Sequence, residues 1–288
     1  MPISTVYTQY FIEELDTDGH APMKFYCDDG RVYYCKYRLN LKKEIELDFL
    51  TYEVVAHELL QYLNIPTPPI AFVNVTEGSF DHNELRRNKS HCAPGIVCFG
   101  SQEVVSRILS PIEKISNKYD FNQLANPADL LRIALFDQWV GNADRGKPID
   151  EGYNFNLLMA DLDKKQQYVA FDHAFIFGGE NQLRIFNPQS VGFQKDSLLG
   201  CEYFWSVLRY IPTENCLNAI EQFFVLLQTD EWHTIISNTI AECATTWPLP
   251  PNMEERIINF LSSRAANRPD RLDMLQETIQ NHLLQHRS

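Results

Sequence analysis

Missing from the 288 residues is any uninterrupted apolar run near the ~20 that would span a bilayer, although 44% of the chain is hydrophobic. No charged-then-apolar leader opens the sequence, so nothing in it marks export. The seven cysteines (27, 35, 92, 98, 201, 216 and 243) are odd in number and contain no C-x-x-C pair, and most sit in apolar runs such as VYYCKY and GIVCFG. This usage argues against a disulfide framework and for reduced core thiols, so a cytoplasmic location is expected. Positive charge is also short. Against 38 Asp and Glu stand 25 Lys and Arg, a formal net charge of -13, and the most basic stretch, LRRNK at Leu85 to Lys89, reads as a solvated loop. Nucleic-acid and membrane partners are therefore not expected. H-E-x-x-H is absent, and with it the usual mark of a zinc hydrolase. Internal repeats and low-complexity segments are lacking too.

What remains is enough apolar residue to bury a large core in one large or two moderate domains. The pattern changes along the chain. From Thr5 to about Ser101 it is strand-rich: TVYTQYFIEEL, MKFYCDDGRVYYCKYRL, IAFVNV and GIVCFG. Asp28-Asp29-Gly30 marks a hairpin, because Gly accepts the positive φ such turns need. One helix is expected from Asp48 through FLTYEVVAHELLQYL, ending before Pro66. After Ser101 the pattern is helical, apart from a strand pair around residues 155–177. Asn126-Pro127-Ala128-Asp129 reads as a helix start with an amide N-cap, and that helix should end near Gly141. Further helices are expected over Ser197–Tyr210, Thr213–Leu227, Asp230–Glu242, Met253–Arg264 and Arg268–His286. A small β-rich lobe with one helix, residues 1–104, would thus precede a larger helical lobe, residues 105–288. Clefts between lobes commonly hold small ligands.

Polar residues edge the apolar segments of FDQWVGNADRGKPIDEGYNFNLL (136–158) and VAFDHAFIFGG (169–179), and each needs a partner or costs about 1–3 kcal/mol. FNLLMA and QYVAFDHAF are joined by the polar DLDKKQ and read as an antiparallel hairpin. With the turn centred on Asp163 to Lys165, Asn156 falls opposite Phe171 or Asp172, close enough for an amide oxygen and a carboxylate to share a hard divalent ion. Slippage by one residue would send them to opposite faces, and strand-end capping explains the same two residues. In GNADRG, Asp144 could orient a substrate hydroxyl and accept its proton. Equally, Asn142, Asp144 and Gly146 are good turn residues and Arg145 a solvated loop cation. In the N-terminal half, Glu53 lies beside the helix stripe Phe49, Tyr52, Ala56, Leu60 and Leu63, and Lys36 on VYYCKYR is the cation placed to meet it or a phosphate. The alternative is a Lys36 facing solvent. In chain order these are a strand lysine, a helix glutamate, a loop aspartate, a hairpin asparagine and a hairpin-end aspartate, the parts of a phosphoryl-transfer site.

These residues resemble the HipA-like kinase family in its shorter, stand-alone branch, and more remotely phosphatidylinositol kinases and protein kinases. The likeness is carried by DGHAPMKFYCDDGRVYYCKYR, YEVVAHELLQYLNIPTPP, FGS at Phe99, FDQWVGNADR with FNLL, and FDHAFIF. It implies an α+β, bilobal protein-kinase-like fold and an ATP- and Mg²⁺-dependent transfer of phosphate to a hydroxyl, usually serine or threonine of a protein. By resemblance, Asp144 is the catalytic aspartate, Asn156 and Asp172 are the Mg²⁺ ligands, and Lys36 with its partner Glu53 contacts the ATP phosphates. Gly19 and its neighbour His20 resemble the phosphate-covering loop, and Val97 to Gln102, with Val97 and Phe99, the linker holding adenine by its backbone. The acceptor would be a protein or a small-molecule hydroxyl, and some relatives are toxins held by a partner antitoxin. The sequence also departs from the pattern. KPIDEGY lengthens the passage from Asp144 to Asn156 and makes Asn154 a rival metal ligand, although Asn156 directly precedes Leu157-Leu158. The phosphate loop has one glycine instead of G-x-G-x-x-G, and the metal aspartate precedes His173-Ala174, where a core histidine is the plain reading of His173. A nucleotide-binding pseudokinase or scaffold is thus the alternative, and a hydrolase built on Asp144, Asp172 and His173 a weaker third.

Overall fold

The structure, a computed structural model, describes residues 2–17, 21–37, 45–89, 91–142, 144–177, 197–266, 274 and 276–282. They belong to two compact units: Met1–His57, Pro68–Val104 and Asn238–Pro251 in the first, Glu58–Thr67, Val105–Ser237 and Asn252–Ser288 in the second.

Apolar side chains alternate along the early strands of the first unit, so that each strand buries one face. Strands β1 (Ser4–Glu14), β2 (Met23–Cys27) and β3 (Val32–Lys36) are followed by helix α1 (Ile45–Tyr62) and by β4 (Ile70–Asn74) and β5 (Val97–Gln102). Their order, β1-β2-β3-β5-β4, closes into a barrel through parallel pairing of Ser4–Tyr7 with Ala71–Asn74. Met23, Phe25, Cys27, Tyr33, Cys35, Val73 and Cys98 fill its core. The β2–β3 reversal is the one expected: Gly30 has φ +78° and donates its N–H to Cys27 O at 3.0 Å. A second apolar cluster joins Leu50 and Val54 of α1 to Phe72, Phe99, Cys243 and Trp247. The Trp247 indole packs edge-on against Phe72 and donates Nε1–H to Val97 O at 3.0 Å.

The second unit holds β6 (Ser106–Ile108), α2 (Lys118–Asn122), α3 (Asp129–Val140), β7 (Lys147–Ile149), β8 (Gly152–Asn154), β9 (Leu157–Leu162), β10 (Lys165–Ala170), α4 (Glu202–Leu208), α5 (Thr213–Leu226) and α7 (Met253–Ala266). Helix α6 (Glu231–Thr246) begins here and belongs to the first unit from Asn238 onwards. Sheet order is β10-β9-β6, and β7 pairs only with β8. The expected hairpin is β9–β10. Its register runs from Leu162↔Lys165 to Leu157↔Ala170, and its turn residues Asp163 and Lys164 have φ +48° and +68°, the left-handed pair that suits the twist of a two-residue hairpin.

Helix α1 begins at Ile45 rather than near Asp48 and α6 runs past Glu242 to Thr246; two further helices depart from expectation. Asn126 does not cap α3. Asp129 N–H bonds to Asn126 O, Leu130 N–H to Pro127 O and Leu131 N–H to Ala128 O, so a tight 3₁₀-like entry comes first and α3 begins at Asp129. Its end is as expected, at Gly141 with φ +65°. Ser197–Tyr210 is not one helix either. A 3₁₀ turn, Leu198–Gly200, precedes α4, and between them the extended Cys201 turns its buried Sγ towards Ser197 O and Gly146 O. The expected helix over Arg268–His286 lies outside the described residues except for Met274 and residues 276–282, which are helical. All seven cysteines are buried free thiols. Among the described residues no helix is long and apolar enough to cross a membrane.

Candidate active site

In the first unit, β3 ends on Lys36 and α1 carries Glu53. Lys36 Nζ lies 2.6 Å from Glu53 Oε1, and the residues are 9% and 2% exposed. Lys36 does not face solvent, contrary to the simpler reading. A buried ammonium is tolerable because the carboxylate balances its charge, and removal of either partner would cost the other its ion pair. Gly19 and His20 lie outside the described residues. The flanks of that passage are tied together: Leu15 N–H donates to Pro22 O at 2.9 Å. The Glu14 carboxylate accepts from the backbone N–H groups of Arg86, Arg87 and Asn88 and from Asn88 Nδ2. Burial alone would raise the Glu14 pKa, but the donors at Arg86, Asn88 and Arg87 outweigh it and lower it.

Val97 and Phe99 both lie in β5. β5 pairs with β4 along one side and β3 along the other, and Phe99 stands opposite Phe72 and Lys36. Its backbone serves strand pairing and its side chain the core. The Val97 carbonyl is taken by Trp247.

In the second unit the polar residues converge on the mouth of the β9–β10 hairpin. Continuing the register past Leu157↔Ala170 brings Asn156 opposite Phe171, whose N–H donates to Asn156 O at 3.3 Å. Asn156 and Asp172 both adopt left-handed backbones, φ +46° and +57°, a region disfavoured for residues with a Cβ but most accessible to Asn and Asp. Asn156 Nδ2 donates to Asp144 Oδ2 at 2.7 Å, which leaves the amide oxygen for another partner. Asn154, the rival, sits in β8 opposite Lys147, and its carbonyl accepts from Gly146 N–H at 2.6 Å.

Arg145 is not a solvated loop cation: it is 0% exposed. Its guanidinium is paired with Asp137, 2.6 Å from Nη1 to Oδ1, inside the almost wholly buried α3. Asn142 donates Nδ2–H to the same carboxylate and accepts from the Asp144 and Arg145 N–H groups. Burial pushes Asp137 up to about 6, and Arg145 and Asn142 oppose that rise, so the carboxylate remains charged at neutral pH. Sequence reasoning passed over Asp137. A signal existed: an acid in the middle of the apolar LLRIALFDQWV requires a buried donor, and the first arginine beyond the Gly141 stop supplies it. His173 is 2% exposed, edge-on to Phe136, with Nδ1 3.4 Å from Arg145 Nη2. That is core packing, and it removes His173 from a hydrolytic role.

A hard divalent ion wants oxygen donors and accepts water or phosphate for most of its shell. The amide oxygen of Asn156 and the carboxylate of Asp172 fit it chemically. Among the described residues no three His, Cys, Asp or Glu side chains gather around a metal position.

Residues 12–234 match the family described as HipA-like kinase, and the chain belongs to that family. None of the curated proteins matches it. Among solved structures, the Helicobacter pylori proinflammatory kinase CtkA aligns with TM-score 0.55 at 10% identity, covering 97% of this chain and 99% of that one. The Golgi casein kinase, crystallised with Mn/ADP bound, aligns with TM-score 0.44 at 15% identity, covering 93% of this chain and 75% of that one. The fold is kinase-like and the chain a phosphotransferase by family.

Proposed function

We propose that this protein is an ATP- and Mg²⁺-dependent kinase that transfers the γ-phosphoryl group to a hydroxyl acceptor, with serine or threonine of a protein as the acceptor class. The fold would be bilobal, the first unit serving nucleotide binding and the second catalysis. The observation that carries this reading is the direct bond from Asn156 to Asp144 at the mouth of one hairpin, where Asp172 follows Phe171, the residue opposite Asn156.

In this reading Lys36 contacts the ATP phosphates and Glu53 fixes its position. Adenine recognition would fall to the passage from Val97 to Gln102, Val97 and Phe99 included, that resembles the linker. Asn156 and Asp172 hold the divalent ion, which would neutralise charge on the β- and γ-phosphoryl oxygens. Asp144 orients the acceptor hydroxyl in line and takes its proton as the new O–P bond forms and ADP leaves. The test is transfer from γ-labelled ATP to the protein itself and to a panel of protein acceptors. Asp144→Ala and Asp172→Ala, folded, should lose it, and full transfer by Asp172→Ala would refute the assignment.

A second reading, a nucleotide-binding pseudokinase, is favoured by the extra β7–β8 hairpin inside the catalytic loop. Thermal shifts with ATP, with and without Mg²⁺, separate the two. Binding without transfer to any acceptor selects the pseudokinase. A cytoplasmic location and an antitoxin-like regulatory partner remain expectations from sequence and resemblance.

A further inference from the structure

We infer that Arg145 is a positioning residue whose guanidinium sets the backbone angles of Asn156 and Asp172, and through them the metal-holding oxygens. The inference rests on the kinase reading above.

The guanidinium makes more bonds than its pairing with Asp137 requires. Nε donates to Phe155 O at 3.1 Å, with Asn156 O at 3.4 Å, and Nη2 donates to Phe171 O at 2.7 Å. Phe155 and Phe171 immediately precede Asn156 and Asp172. The carbonyl of a preceding residue lies in the rigid peptide plane from which the next residue's φ is measured. Anchoring those two carbonyls fixes one of the two planes between which φ of Asn156 and of Asp172 is measured, and for Asn156 the contact to its own carbonyl holds the far side as well; these are the pair at the hairpin mouth held in the left-handed region. Such conformations persist where the surroundings over-determine them.

Stability alone does not account for the arrangement. A fully buried ion pair is often no better than apolar residues of similar volume. Geometry explains it better. One planar fork reaches the β8–β9 junction, the end of β10 and α3 at once, which the single ammonium of lysine cannot do. Arg145 also adjoins Asp144, and Asn142 ties both backbone N–H groups to the end of α3. The three groups assigned to metal and acceptor are thus referenced to one cation.

The test uses the full chain with two variants. Arg145→Lys keeps the charge and loses the fork. The double variant Asp137→Leu/Arg145→Met removes both charges, so neither is stranded and folding survives where the single variant fails. Circular dichroism reports folding, and Mn²⁺ binding is measured by electron paramagnetic resonance in the presence of ADP, alongside ADP binding without metal and kcat against KM for ATP. Folded variants should bind ADP alone like wild type but Mn²⁺ with ADP about 10–100-fold more weakly, with kcat reduced about 100-fold and KM little changed. Unaltered Mn²⁺ affinity in a folded variant overturns the inference and leaves the kinase reading intact. Unfolding of both variants assigns Arg145 a merely structural role and also overturns it. Wild type that binds ADP but no Mn²⁺ overturns the kinase reading itself, and the inference with it.

Discussion

Lys36 and Glu53 meet at 2.6 Å with both side chains almost withdrawn from solvent. Seventeen residues separate them in the chain, and the contact binds the end of β3 to the middle of α1. In the proposed role, a lysine that serves a phosphate needs such a partner, because its charge must survive burial before any nucleotide arrives.

Breaking that pair from one side should therefore be costly. Glu53→Ala is expected to lower unfolding stability by about 3–5 kcal/mol, since it takes away the carboxylate 2.6 Å from a buried ammonium. Lys36→Met/Glu53→Leu should cost much less while still abolishing ATP-dependent transfer. Urea denaturation compares the two variants, and equal losses would count against the pairing as the source of the effect.

In the proposed mechanism, Asp144→Asn keeps shape and removes the proton acceptor. Transfer should fall by about 100- to 10,000-fold, the usual share of general base catalysis, with the melting temperature nearly unchanged. Radiolabelled ATP and a thermal scan on the same sample check both halves.

Gly146 follows Asp144 by two residues and has φ +84°. A Cβ there would lie 2.2 Å from the Ser197 carbonyl carbon and 2.3 Å from Leu198 N. Backbone cannot yield as a side-chain tip can, and the positive φ adds its own strain. Gly146→Ala should destabilise by more than about 2 kcal/mol, measured by denaturant midpoint. Gly78→Ala, also at positive φ but in open space, should cost about 1 kcal/mol.

His57 is expected to shape acid stability. Burial lowers its pKa to about 4, against the weaker opposing effect of a hydrogen bond to the Pro68 backbone. Between pH 6.5 and 4 the unfolded chain takes up a proton that the folded chain refuses. Stability should therefore fall as pH drops through that window, by an amount on the order of 3 kcal/mol. Comparison of wild type with His57→Gln isolates the contribution: the difference between their unfolding free energies should change with pH across the window and be flat above pH 7.

The hairpins were legible because turn chemistry and alternation agree. Asp28-Asp29-Gly30 demanded a reversal, and the DLDKKQ connection set a register that brings Asn156 opposite Phe171. The pairing of Phe99 was not legible, for the opposite reason. A short apolar run ending in Gly-Ser looks the same whether its backbone is exposed or paired, and only the β3 and β4 partners distinguish the two. Arg145 and Asp137 escaped because their meaning is mutual: each is an ordinary charged residue until the Gly141 turn folds one back onto the other. That residues 238–251 group with the N-terminal unit was not legible at all, since the Trp247 bond to Val97 spans 150 residues.

The seam of the barrel, where Ser4–Tyr7 lie parallel to Ala71–Asn74, couples the very start of the chain to residues made much later. Until the seam shuts, β1 and β4 each present a bare row of donors and acceptors, which is an invitation to neighbouring chains. Shortening the protein by its first seven residues would leave one of those rows open for good. Aggregation during synthesis, more than loss of any catalytic group, would then be the first symptom of such a truncation.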